Sequence, residues 1–230
     1  MPEPVPVLYE DQETIVFNKP AGLLSIPADE SKERSLVEVV RDQQGIGLHP
    51  AHRLDRDTSG VILFAKSKAV QQSLMQAFKD KKVRKLYIAF VHGRVKQPQG
   101  EINIPVKDHH QKKFASHAPA QSALTRYRVR DYHKQFTVVD VVPVTGRTNQ
   151  IRIHFAKIGH ALVGEDKYAF RKDFALRFRR TALHAAKLEW PHPVTGIMQK
   201  AEAPLPLDME KFLREYKEGY GYKDQHQRMV

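Results

Sequence analysis

His52-Arg53-Leu54-Asp55-Arg56-Asp57-Thr58-Ser59-Gly60 sets a carboxylate among cations immediately before the apolar run Val61-Ile62-Leu63-Phe64-Ala65. Ser59-Gly60 is a turn signal and the run after it is β-branched and aromatic, so the segment reads as a polar turn feeding a strand. Loops held on rigid strands commonly carry catalysis. The guanidiniums beside Asp55 favour its ionised form, which suits a nucleophile or a base near neutral pH. A surface ion-pair network of Asp55, Asp57 and the two arginines, worth little energetically, is the competing reading.

Outward from this turn the chain alternates mostly strands with a few helices. Thr14 to Asn18 reads as a strand, and Ser35 with Glu38 three residues on is a capping-box pattern that opens a helix. Ser67 can cap a second helix in which Val70, Leu74, Ala77 and Phe78 share a face, with Lys79, Lys81 and Lys82 loading its carboxyl end. Strands are expected at about Arg84 to His92, Glu101 to Val106, Ser122 to Asp131 and Gln135 to Val144, adjacent ones pairing antiparallel. Thr148 to Lys157 reads as a helix with Ile151, Phe155 and Ile158 toward the core, which sets Arg152 near the buried edge, where an arginine needs an acidic partner. Strands near Ala182 to Trp190 and Ile197 to Ala203 precede a final helix from Leu207 to Tyr216. The fold class is α+β, built on mainly antiparallel sheet flanked by helices. Residues 1 to 218 read as one domain and residues 219 to 230 as a frayed tail.

Bulk properties agree with a self-sufficient core: 230 residues need no disulfide or metal to fold, and the chain has no cysteine, as expected of a reducing compartment. There is no signal-like amino terminus and no apolar run long enough to span a bilayer, so a cytoplasmic protein is expected. Lysine and arginine outnumber acids 38 to 26, a formal charge of +12, which calls for a polyanionic partner with nucleic acid first among candidates. Between Asp166 and Thr181, Lys167, Arg171, Lys172, Arg177, Arg179 and Arg180 interleave with Phe170, Phe174 and Phe178 at four-residue spacing, predicting a helix with a basic outer face and a phenylalanine stripe in the core. Lys107 to His117 reads as a basic loop between strands, and its three histidines lack the partners of a metal shell. No metal is expected, and without a long exposed apolar stripe the default oligomeric state is a monomer.

HRLDRDTSG resembles the HRLDxxTSG signature of the RluA family of pseudouridine synthases, in which the aspartate is catalytic, here Asp55. Four more segments resemble that family in order: Asn18-Lys19-Pro20-Ala21-Gly22-Leu23, Arg84-Lys85-Leu86-Tyr87, the block Gly146-Arg147-Thr148-Asn149-Gln150-Ile151-Arg152-Ile153-His154, and Leu183-His184-Ala185 followed by Pro191-His192-Pro193. Asn149 departs from the pattern, which usually has histidine there. The resemblance implies sheets around a central RNA-binding cleft and isomerisation of uridine in ribosomal RNA or tRNA, with no metal or organic cofactor. The glycosidic bond to the ring nitrogen is cut, the uracil turns, and a carbon link replaces it.

The same resemblance implies roles for particular residues. Asp55 is the nucleophile or base, Arg152 its ion-pair partner through a bidentate guanidinium, and Tyr87 the ring that packs on the target uracil. Arg53 is the candidate to fill the gap left by a flipped base, Arg56 and Arg147 to contact phosphates, Lys19 to border the pocket and Leu183 to form an apolar wall. Replacing Arg152 is expected to abolish activity while leaving the fold largely intact. Many relatives carry a small RNA-binding module ahead of the catalytic domain, whereas here the first motif begins near residue 18, so no such module is expected. Two other classes compete: an inert RNA binder with the same cations and aromatics, and a glycoside hydrolase, for which Asp57 is the only second carboxylate close in sequence.

Overall fold

The computed structural model describes residues 4–28, 33–107, 119–169 and 176–216. The elements run β1 Val7–Glu10, β2 Thr14–Lys19, α1 Leu36–Gln44, β3 His49–Pro50, β4 Ser59–Ala65, α2 Lys68–Lys79, β5 Arg84–His92, β6 Gln99–Asn103, β7 Leu124–Tyr132, β8 Phe136–Pro143, α3 Gln150–Lys157, β9 Leu183–Pro191, β10 Met198–Glu202 and α4 Leu207–Glu215. The strands form one sheet in the order β1-β2-β4-β9-β5-β8-β7-β6, with β3 beside β4 and β10 beside β9. The α+β expectation therefore holds, and the expected strands and capped helices stand within a few residues of their places.

Local chemistry sets the helices. Ser35 accepts from the Glu38 amide while the Glu38 carboxylate accepts from the Ser35 amide, completing the capping box of α1, and Gly45 closes the helix in the left-handed region. Ser67 caps α2 through the Val70 amide, and Val70, Leu74 and Ala77 are buried against Val16, Leu63 and Trp190 on one face of the sheet. On the β5–β8 half, α3 packs Ile151 and Phe155 against Val139 and Val141, whereas α4 packs Met209 and Phe212 against Ile88, Phe90 and Phe136 in a separate cluster.

One seam joins the two halves of the sheet. Among the named strands all pairings are antiparallel except a two-residue parallel contact in which Ser59 and Gly60 of β4 meet His184 and Ala185 of β9. Ala185 in turn faces Tyr87 on β5, and Tyr87 faces Val141 on β8, so Gly60, Ala185, Tyr87 and Val141 lie in one row. The seam is possible only with glycine at 60: a Cβ there would sit 2.1 Å from the Ala185 carbonyl oxygen, and the backbone φ is +110°.

Three expectations need correction. Ile158 does not turn inward; it is the C-cap of α3 and 36% exposed, because the helix ends before its side chain reaches the core. Strands β1 and β3 were not expected; both are short, and β1 lies at the edge of the sheet. The helix expected between Asp166 and Thr181 is absent from its described flanks: residues 166–169 and 176–181 are irregular, and the positions between, with Phe170, Arg171, Lys172 and Phe174, lie outside the described residues. Most of the Lys107 to His117 loop and the whole 219–230 tail lie outside them as well. Among the described residues no helix is long and apolar enough to cross a membrane.

Candidate active site

The Asp55 turn is held from below by backbone carbonyl contacts. Ser25 Oγ donates to the Leu54 carbonyl at 2.8 Å and accepts from the Leu54 amide at 3.0 Å. Lys19 Nζ donates to the carbonyls of Pro20, Leu23 and Arg56 at 2.9, 2.6 and 3.0 Å. Arg180 reaches across from the start of β9, donating to the Asp57 and Leu183 carbonyls at 3.0 and 3.2 Å and to Ser59 Oγ at 3.3 Å, while Asp208 of α4 grips it from behind at 2.7 Å. With its carbonyls drawn inward, the turn presents Asp55 to a cleft of about 520 Å³.

Asp55, Arg53, Tyr87, Arg147, Arg152 and Leu183 all line this cleft, together with His52, Phe78 and Lys85. Among the described residues Asp55 is the only carboxylate in the lining, and the other charged groups there are cations. Tyr87 packs against the apolar clusters of both halves of the sheet, at their junction beneath the turn. Burial, and then the charge of Asp55, push the Tyr87 pKa up, so the phenol keeps its proton at neutral pH. Leu183 is 3% exposed and forms part of the apolar wall. Arg53 is exposed at the rim, and Arg147, also exposed, donates to the Ser122 carbonyl at 3.3 Å.

Arg152 has a partner that the sequence reading did not name. Glu165, 1% exposed, accepts from Arg152 Nε and Nη2 at 2.7 Å each and from the amides of Lys167 and Tyr168. Burial works against the charge of Arg152, but the hydrogen bonds and charge of Glu165, then the charge of Asp55, outweigh it and hold its pKa above the ordinary value. The bidentate grip expected on Asp55 is thus made with Glu165, and Asp55 acts on the guanidinium through its charge. Asn149 completes this cluster. Its Oδ1 accepts from Arg152 at 3.2 Å, its Nδ2 donates to the Tyr168 hydroxyl at 3.1 Å, and its backbone φ of +53° is one that asparagine tolerates well. Gln150 fixes the preceding loop, accepting from Thr145 Oγ1 and the Arg147 amide and donating to Leu124 and Thr125.

Lys19, expected to border the pocket, and Arg56, expected to contact phosphates, both lie outside the lining of the cleft. Lys19 is 0% exposed; its ammonium is spent on three carbonyls of the clasp, and burial pushes its pKa down to about 7, so it supports the turn and does not border the pocket. Arg56 points away from the cleft into a bidentate pair with Glu33 at 2.8 and 2.9 Å, with Asp57 3.5 Å away. Arg180, expected on a basic outer face, is 9% exposed and braces the turn. Its spacing matched a helical surface stripe, and only the distant Asp208 reveals its role. Glu165 was missed for the same reason: an acid thirteen residues beyond Arg152 carries no local signal of that pairing.

A family model described as RNA pseudouridylate synthase matches residues 13–157. The chain is 38% identical over 198 residues to the dual-specificity RNA pseudouridine synthase RluA of Vibrio cholerae, covering 82% of this chain and 78% of that one. It is 32% identical over 231 residues to the ribosomal large subunit pseudouridine synthase D of Blochmanniella floridana, covering 90% and 71%. Its fold is similar to that of human RNA pseudouridylate synthase domain containing 4, with a TM-score of 0.76 over 92% of each chain at 22% identity. With the signature turn, its arginine and its tyrosine gathered in one basic cleft, the chain belongs to the family of RNA pseudouridine synthases, isomerases that act on RNA.

Proposed function

We propose that the protein converts uridine to pseudouridine in a stem-loop of ribosomal RNA or tRNA in the cytosol, acting as a monomer through residues 1 to 218 without a metal or organic cofactor. The observation that carries this reading is the composition of the cleft: one carboxylate, Asp55, faces a ring of cations over an apolar floor. A polyanionic substrate fits that field, and a glycosidase, which needs two carboxylates in one cleft, does not. Asp57, the second acid nearest in sequence, lies outside the lining beside Arg56. The names of the relatives, one a ribosomal large subunit enzyme, support the choice of RNA.

In this reading the target base is flipped out of its stack, at a cost of about a few kcal/mol, and packs on Tyr87 against Leu183. Arg53 at the rim takes the vacated place in the RNA. Asp55 acts as nucleophile or base on the sugar or the ring, and Arg152, itself held by Glu165, orients the carboxylate and keeps it ionised. Because Tyr87 retains its proton, it serves as a stacking surface and a proton donor, and the negative charge of the site stays on Asp55. The cleft excludes water from the detached uracil while it turns.

The test is to incubate the purified protein with unmodified ribosomal RNA and tRNA and to map new pseudouridines, with Asp55→Ala alongside. Modification of defined stem-loop uridines by the wild type alone is expected. Identical maps for protein and variant would leave only an RNA binder.

A further inference from the structure

Several cations of the cleft have no part in the chemistry just described, and Lys85 is the one withdrawn from water beside Tyr87. Lys85 stands two residues before Tyr87 on β5 and lines the same cleft. It is half-buried, and burial lowers its pKa. The other inward cations are neutralised from within the protein: Arg152 by Glu165, Arg180 by Asp208, and Lys19 by three carbonyls. Lys85 has neither a carboxylate nor a carbonyl within bonding distance among the described residues. An ammonium withdrawn from water without a partner costs stability, and a chain that keeps one at the wall of a substrate cleft is provided for an anion that arrives from outside.

The surroundings say which anion. Lys79 and Lys81, from the end of α2 and the turn after it, line the same part of the cleft, as does Arg147. None of these makes an ion pair with a carboxylate among the described residues. Gly146 leaves the ammonium uncovered: a Cβ at that position would lie 3.7 Å from Lys85 Nζ, and no side chain stands between the loop and the lysine. Two strand residues span about 7 Å, so a base packed on Tyr87 leaves its own backbone within reach of Lys85. A lysine is a point charge that suits a single phosphate oxygen, in contrast to the two-point grip of Arg152.

Resting on the reading of RNA as substrate, we propose that Lys85, with Arg147 of the adjoining loop, forms a binding subsite for the phosphodiester next to the target uridine. Arg56, the other candidate for a backbone contact, lies outside the cleft lining beside Glu33.

The test compares wild type, Lys85→Met and Lys85→Arg for binding to labelled bulk tRNA and ribosomal RNA fragments across a salt titration, with thermal melting of each protein. Lys85→Met is expected to weaken binding about tenfold and to reduce the slope of log affinity against log salt by about one. Lys85→Arg is expected to recover most of both. Lys85→Met is also expected to melt at or above the wild-type temperature, because it removes an unneutralised charge; a structural lysine gives the opposite result. Unchanged affinity and slope in Lys85→Met, or a fall in melting temperature accompanying the loss of binding, overturns the subsite. Binding needs no turnover, so an enzyme that isomerises no uridine refutes the proposed activity while the salt slope still decides Lys85.

Discussion

At the scale of single residues, the braced cations Lys19, Arg152 and Arg180 are each answered by specific oxygens of the protein. Arg152 and Glu165 are the clearest case. Glu165 is wholly buried at its side chain, so Arg152→Met leaves a carboxylate without its counter-charge and is expected to cost about 3–5 kcal/mol in chemical denaturation as well as activity. This reverses the expectation that the fold tolerates loss of Arg152. A melting temperature within a degree or two of wild type would show that the pair is not the brace described here. The double change Arg152→Met with Glu165→Gln is expected to recover part of the stability and none of the turnover, which separates the structural half of the pair from the half that faces Asp55.

At the scale of elements, the parallel seam between β4 and β9 decides where the Asp55 turn stands relative to Tyr87. Gly60→Ala places a methyl group against the Ala185 carbonyl and is expected to destabilise the protein by about 1–3 kcal/mol, with turnover falling further than RNA affinity because the turn shifts before the basic cleft is lost. Urea titration and RNA binding on the same preparation check this, and wild-type stability in Gly60→Ala would contradict the seam. Helices and strands of this kind were legible because their signals are local: the Ser35–Glu38 capping box, the Ser67 cap and the apolar run of β4 each sit within a few residues. The motif residues Asp55, Tyr87, Arg152, Arg147 and Leu183 could be expected in one cleft from the resemblance alone. Lys19, Arg180 and Glu165 could not be placed, because a buried cation and a surface cation read alike until the long-range partner is known. The Asp166 to Thr181 segment misled for a related reason. Its phenylalanine spacing is helical, yet Phe178 packs on Phe212 of α4 from an irregular stretch.

At the scale of the whole molecule, charge and protonation govern behaviour. The net charge of +12 implies RNA binding that weakens steeply with salt. Stability carries its own pH signature. Burial, and then the nearby Lys85, hold His52 at a pKa of about 3, and burial also lowers His154 and His184. A histidine of ordinary pKa near 6.5 in the unfolded chain takes up its proton there before the folded chain does, so stability present above that pH is lost as the pH falls toward the folded value. His52 alone is expected to remove about 2 kcal/mol between pH 7.5 and pH 5, with the other two adding in the same direction. Carboxylates with lowered pKa, Asp11 and Asp208 among them, extend the loss below pH 4. Equal urea midpoints at pH 7.5 and pH 5 would contradict this.

The central claim is that Asp55, alone among the carboxylates of the cleft, carries the reaction. Single-turnover pseudouridine formation by Asp55→Asn, measured on the mapped RNA together with its binding affinity, tests that claim most directly. The change is isosteric and leaves the clasp of Lys19, Ser25 and Arg180 on the turn backbone untouched. RNA binding within about threefold of wild type and a rate lower by at least about 100-fold are expected. A variant that binds RNA normally and forms pseudouridine at a rate near that of the wild type would contradict it.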